Sequence, residues 1–256
     1  MIISDHVREA LTEFGGQAPF DHVVIDNFLV DEWAEKLEAE FPAFDDPLWH
    51  QYSNAIKVKK VCNLWNLFPK HTYQAFSWLH STEFMALLSQ QLSIPGLTPD
   101  PGLHGGGWHI HSRDGRLNTH LDYSTHPKLG MQRKLNLIVY LNSKWQDSWG
   151  GHLGLWQQKP DRKAPGKLVK EIVPRFNRAV LFDTTQDSWH GLLPPLVCPE
   201  DETRRSLAVY YLVPAPEGTD PRGKALFAPT DEQQGDEEVL QLIEARAKVK
   251  TAGRED

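Results

Sequence analysis

Two imidazoles, one carboxylate and a downstream cation stand in a fixed order in this 256-residue chain. His120-Leu121-Asp122 comes first, His190 follows 68 residues after Asp122, and Arg204-Arg205-Ser206 closes the series. Two neutral nitrogens and one carboxylate oxygen on one face of an octahedron suit Fe(II) and leave three positions open. An oxygen-activating centre needs those positions, two for a chelating co-substrate and one for O2. The cation would anchor the co-substrate's far carboxylate. Such a carboxylate would in turn satisfy an arginine that is costly to bury unpaired. A lone His-x-Asp is weak evidence, because such triplets arise by chance on surfaces and at caps.

Strands have to position these groups. If residues 117–122 form a strand, His120 and Asp122 project from one face, because strand side chains alternate. His190 follows the apolar run 179–182 and a polar turn. Arg204-Arg205-Ser206 opens the apolar run 207–213. From about residue 100, short β-rich runs alternate with turns, at 107–111, 117–121, 135–141, 153–157, 167–173, 179–183, 190–192 and 207–213. Eight short strands at this spacing predict a sandwich or jelly roll. Upstream, residues 5–14 predict a short helix stopped by Gly15-Gly16, and residues 20–29 are β-rich with a turn at Asp26-Asn27. Residues 31–41 predict a helix with Asp31 as N-cap and Trp33, Leu37 and Phe41 on one face, ended by Pro42. Residues 44–60 have no clean period and read as loop with short strands. Residues 74–92 predict one or two helices, broken at Ile94-Pro95-Gly96. The stretch after Pro214 is rich in Pro, Gly and charge, with a charged amphipathic helix over 237–250. No internal repeat or low-complexity tract is present. The expectation is one domain over 1–256, mainly β with flanking helices (α+β). Its parts are a mixed helical stretch (1–99), a barrel core (100–214) and a C-terminal extension (215–256).

Composition narrows the function. A net charge of -7 argues against nucleic acid and anionic membrane surfaces, both of which reward clustered Lys and Arg. The densest basic patch, Lys57-Val58-Lys59-Lys60, is too short for a nucleic-acid footprint and reads as a solvated strand or loop edge. Two cysteines, Cys62 and Cys198, in a chain this long point to a reducing compartment. The N-terminus lacks a charged n-region and a long apolar core, and no run approaches the ~20 apolar residues of a membrane span. A soluble cytoplasmic protein is expected. Nine Trp and eleven Phe supply core material. Trp108, Trp145, Trp149, Trp156 and Trp189 read as core and rim packing rather than a sugar platform. Ser188 near His190 lacks the Gly-x-Ser-x-Gly elbow of a hydrolase.

Taken together, the pieces resemble the Fe(II)/2-oxoglutarate-dependent dioxygenases of the prolyl-4-hydroxylase-like superfamily. They are Gly105-Gly106-Gly107-Trp108-His109, Leu117-Asn118-Thr119-His120-Leu121-Asp122, Arg133 through Asn142, Trp149-Gly150-Gly151-His152-Leu153, Val180-Leu181-Phe182, Ser188-Trp189-His190-Gly191 and Arg204-Arg205-Ser206-Leu207. These span residues 105–213, and residues 20–42 resemble the helical entry of such proteins less specifically. The resemblance implies a double-stranded β-helix (a jelly-roll, cupin-like barrel) with N-terminal helices packed on it and Fe(II) inside one mouth. It implies His120, Asp122 and His190 as iron ligands, with 2-oxoglutarate and O2 as co-substrates. The family places an Arg or Lys on the last barrel strand against the distal carboxylate of 2-oxoglutarate. Arg204 and Arg205 compete for that role. The Arg-x-Ser pattern of many relatives maps onto Arg204 and Ser206, which share a strand face, and favours Arg204. Asn136 stands where a small polar residue often touches 2-oxoglutarate.

Two positions depart from the pattern. His111 replaces a Tyr that bonds the co-substrate in many relatives, and His152 replaces the acid of a Gly-Gly-Glu/Asp pattern. Trp108, His109 and His111 are candidate substrate contacts. His104, His109, His111 and His126 together read as a polar loop at a barrel mouth rather than a second metal site. A carboxylate at Asp122 favours hydroxylation, since halogenating relatives leave that position empty. The expected reaction is C–H hydroxylation coupled to 2-oxoglutarate decarboxylation. The compact length favours a small metabolite or amino-acid derivative as substrate. The alternatives are a peptidyl, prolyl-type side chain, a cupin-like metalloprotein without 2-oxoglutarate, and a ligand-binding jelly roll. The charged C-terminal helix reads as a solvated face on the barrel or a homodimer element.

Overall fold

The structure, a computed structural model, describes residues 2–194 and 196–249. The chain begins with α1 (Val7–Ala10), β1 (His22–Ile25) and α2 (Asp31–Ala39), followed by a hairpin of β2 (His50–Asn54) and β3 (Lys57–Cys62). Helices α3 (Lys70–Leu79) and α4 (Thr82–Leu92) follow, and then β4 (Thr98–Pro99), β5 (Gly107–His111), β6 (Arg116–Leu117), β7 (His120–Leu121) and β8 (Gln132–Tyr140). The last third holds β9 (Leu153–Gln158), β10 (Pro165–Ile172), β11 (Ala179–Asp183), β12 (Trp189–Leu192), β13 (Arg204–Val213), β14 (Leu226–Phe227) and α5 (Glu237–Ala247).

Two sheets face each other across a cavity. The larger runs β1-β11-β8-β13-β5-β3-β2, with β4 also on β13 and β6 on β3, and the smaller runs β10-β9-β12-β7-β14. The pairings are antiparallel, which gives the double-stranded β-helix expected from the sequence. Alternation divides each strand between two environments. On β8, Leu135, Leu137 and Val139 face outward to the helices, with Leu207, Val209 and Tyr211 of β13. Against them pack Leu37 of α2, Phe76 and Leu79 of α3, and Phe84 and Leu88 of α4. The inward residues Asn136 and Ile138 line the cavity instead.

Local chemistry explains the element ends. Ser81 caps α4 by accepting the Phe84 amide, and Ser93 ends it in the left-handed region. Asn27 (φ 51°) makes the expected turn after β1. Val30 rather than Asp31 is the N-cap of α2, and Asp31 and Glu32 sit in its first turn, where the helix dipole favours acids. Within 44–60, expected as loop with short strands, the strands are β2 and the start of β3, which form a hairpin paired His50↔Val61 to Asn54↔Lys57. The strand expected at 117–121 is split. β6 pairs with β3 in the large sheet and β7 with β12 and β14 in the small one, so the chain changes sheet at Asn118-Thr119. Strand β14 lies in the stretch read only as Pro/Gly-rich. Lys250, the expected end of α5, is outside the described residues. Among the described residues no helix is long and apolar enough to cross a membrane.

Candidate active site

His120 and His190 are register partners on β7 and β12, with ring centroids 4.3 Å apart. Asp122 follows β7 directly. Its Oδ1 lies 3.7 Å from His120 Nε2 and its Oδ2 3.8 Å from His190 Nε2. All three are buried. Among the described residues this is the group whose ligand atoms converge, all within 4.8 Å of one another. Each imidazole bonds a carbonyl through Nδ1, His120 to Asn118 at 2.9 Å and His190 to Ser188 at 2.8 Å. A carbonyl only accepts, so each Nδ1 carries the proton and each Nε2 presents a lone pair to the shared centre. Burial and the neighbouring His120 lower His190 to about 4, which keeps it a neutral ligand at neutral pH. This donor set fits Fe(II) in a two-histidine, one-carboxylate site.

Asp122 is gripped at both oxygens. Arg133 Nη1 lies 3.1 Å from Oδ1, and Asn136 Nδ2 donates to Oδ2 at 3.0 Å. Burial pushes the Asp122 carboxyl up, but Arg133 and the two imidazoles outweigh it and hold it well below the usual carboxylate range. Arg133 is itself clamped between Tyr123 and Tyr210, its guanidinium carbon 3.4 and 3.5 Å from the two ring centroids. Arg222 reaches in from the C-terminal extension and donates to the Asp122 carbonyl at 2.7 Å. Arg133, Tyr123, Tyr210 and Arg222 all escaped the sequence reading.

At the other end of the cavity stand Arg204 and Ser206. Arg204 is buried and Arg205, on the opposite strand face, is only partly so. Arg204 Nε donates to the Gly151 carbonyl at 2.7 Å, and its guanidinium sits 4.9 Å from the Tyr140 ring. Among the described residues the Tyr140 hydroxyl is buried without a hydrogen-bond partner. An orphaned hydroxyl beside an arginine without a carboxylate partner is the complement of a carboxylate. Tyr140 was missed too, although alternation along β8 from Asn136 puts it on the inner face.

His109 and His111 line the cavity as expected. His109 Nε2 is 3.1 Å from the Gly105 carbonyl, while neither ring nitrogen of His111 has a partner. Burial holds both imidazoles well below their ordinary value, assisted first by Lys59 at His109 and by Arg204 at His111. Trp108 is a correction. Lying between Gly107 and His109 on β5, it points out of the barrel and packs in the helical core on Phe41, Trp49 and Phe68. It cannot touch a substrate. Asn136 reaches the cavity, but its amide nitrogen is engaged with Asp122. His104 and His126 gather round Asp100, His126 Nε2 lying 3.5 Å from its Oδ2.

The cavity is about 180 Å³. Its rim comes from the two stretches outside the expected barrel core. Lys57, Lys59 and Val61 enter from β3, and Phe227 and Arg246 from the extension. Phe227 stacks on His120, ring centroids 5.0 Å apart.

Comparison with known proteins gives four likenesses. The family profile described as "2OG-Fe(II) oxygenase superfamily" matches residues 107–212. A mouse protein named Prolyl 3-hydroxylase OGFOD1 is 25% identical over 198 residues, 77% of this chain and 33% of its own length. The chain thus spans about a third of that relative. Among solved structures, a Pseudomonas putida prolyl-4-hydroxylase superposes with a TM-score of 0.59 at 16% identity, covering 82% of this chain and all of its own. A Trichoplax adhaerens prolyl hydroxylase bound to a hypoxia inducible factor peptide fragment gives 0.53 at 16%, covering 81% and 89%. At these identities the two structural likenesses establish the fold.

Proposed function

We propose that the chain is a member of the 2OG-Fe(II) oxygenase superfamily, whose model matches residues 107–212, and that it couples decarboxylation of 2-oxoglutarate to hydroxylation of a C–H bond. The convergence of two Nε2 lone pairs and the Asp122 carboxylate carries this reading. Fe(II), held by His120, Asp122 and His190, supplies the activation of O2 and the redox chemistry. The chain supplies position. Arg204 and the Tyr140 hydroxyl hold the distal carboxylate of 2-oxoglutarate, with Ser206 beside them. Arg133 and Asn136 fix the Asp122 carboxylate. Phe227 and the apolar wall of Leu117, Ile138 and Leu153 keep water from the reacting carbon.

For the substrate, the sequence favoured a small metabolite or amino-acid derivative. The names of the relatives favour a prolyl ring, and we adopt it, borne by a peptide or by a free proline derivative. The test of the reaction is an anaerobic titration with Fe(II) and then 2-oxoglutarate. A weak visible charge-transfer band is expected in the wild type and not in His120→Ala. Iron binding without a band would make the triad a metal site of another kind.

A further inference from the structure

The basic run Lys57-Val58-Lys59-Lys60 is not the solvated edge its sequence predicts. On β3 the register Lys60↔Ile110 and Val61↔His109 sets Lys57, Lys59 and Val61 on the face turned to the cavity. Lys57 is buried, its ammonium 3.6 Å from the Tyr52 ring centroid. Lys59 is partly buried, and among the described residues its ammonium makes no hydrogen bond or ion pair. Among the described residues Asp122 is the sole carboxylate lining the cavity, and Arg133 already pairs with it.

Charge therefore does not balance. Fe(II) with 2-oxoglutarate would add two positive and two negative charges, and one of those carboxylates belongs to Arg204. The cation left without a counter-charge on β3 is Lys59. An ammonium that loses part of its hydration at a cavity wall without a counter-charge beside it is destabilised. Burial, with Lys57 beside it, lowers Lys59 to about 7, as expected of a lysine that lacks its anion.

We propose that a carboxylate on the substrate docks against Lys59, with Lys57 behind it, at the β3 side of the cavity. The proposal rests on the oxygenase reading of the site, and it adds an acidic recognition element next to the hydroxylated carbon. Two sources carry that chemistry, the α-carboxylate of a free proline derivative and an acidic side chain flanking a peptidyl proline.

The test is isothermal titration of the anaerobic Fe(II)–2-oxoglutarate protein with two matched pairs. One pair is N-acetyl-L-proline and its amide. The other is capped Pro-Glu and capped Pro-Gln. In at least one pair the acid is expected to bind roughly tenfold more tightly than its neutral twin, and Lys59→Met to shrink that preference to about twofold or less. The first pair responding identifies a free acid, the second an acidic peptide. Lys59→Gln repeats the loss with a polar chain, should the methionine disturb folding. Affinity for 2-oxoglutarate, read from the charge-transfer band, is expected to stay unchanged. Acid and neutral twin binding alike in both pairs, or not at all, overturns the proposal. So does a preference that survives both substitutions, or a loss that falls on 2-oxoglutarate instead. A missing band with the acid preference intact sinks the oxygenase reading alone.

Discussion

Asp122 has Arg133 at one oxygen and Asn136 at the other, so its orientation does not depend on the metal. Breaking a buried pair by removing one partner leaves an uncompensated charge. Arg133→Met is therefore expected to lower unfolding free energy by about 3–5 kcal/mol and to weaken Fe(II) binding roughly 10–100-fold. Urea denaturation and Fe(II) titration check both halves. Lys59 should behave oppositely, because nothing in the metal-free protein depends on it. Its folded pKa of about 7 lies below the unfolded lysine value, so the unfolded chain holds the extra proton between those two pH values. Stability must then rise with pH across that window, and the penalty is complete below about 7. Lys59→Met is expected to raise the Tm of the metal-free protein at pH 7, with the gain fading toward pH 10. A pH-independent gain would mean that Lys59 is protonated in the folded protein throughout.

Strands β5 and β11 were legible to the residue, β5 because Trp108 and Ile110 alternate with His109 and His111, β11 because it is a short apolar run bounded by polar residues. The β2–β3 hairpin was legible only as short strands within a loop, because two of its inward positions are Lys57 and Lys59. A strand whose buried face is basic lacks the period-two apolar signal on which such a reading relies. The metal triad was legible because His120 and Asp122 are neighbours in sequence and His190 follows an apolar run. Arg133 and Tyr140 lay inside a quoted motif, yet only the placement of β8 against the cavity shows what they face. Of the two readings of Trp108, core packing holds and substrate contact does not, because it alternates with His109 along β5. Register on this side of the barrel hangs on Gly107. At φ 88°, an added Cβ would come 2.1 Å from the Cys62 carbonyl oxygen and 2.8 Å from Asn63 Cα, both backbone. Backbone cannot turn aside as a side chain can. Gly107→Ala should cost ~3 kcal/mol and pry β3 from β5. A lowered urea midpoint, with lost amide protection in β3 and β5 and intact protection in β11, checks it.

The cavity is bounded by the β2–β3 hairpin and the C-terminal extension. The C-terminal extension pairs β14 with β7, stacks Phe227 on His120 and donates from Ala228 N to the Thr119 carbonyl at 2.8 Å. Arg222 ties the same extension to the Asp122 carbonyl, and Gln233 bridges Asn118 to the Ala55 carbonyl in the β2–β3 turn. Ile56, Phe227 and Val239 form a small apolar cluster of their own, joining hairpin and extension. The main core, by contrast, draws no buried residue from beyond β13. The two stability units are thus separable. Deleting residues 215–256 should leave the helix-backed sheet folded while freeing the segment that carries two of the three metal ligands. Outer contacts of this kind hold ligands in place, and their loss typically costs roughly 10–100-fold in metal affinity. The truncated protein is expected to keep amide protection along β8, β11 and β13, to lose it at residues 119–122, and to bind Fe(II) correspondingly more weakly. Hydrogen exchange and a metal titration on one preparation read both. Unchanged protection at 119–122 would mean that β12 alone holds β7. The extension would then bound the substrate without supporting the metal.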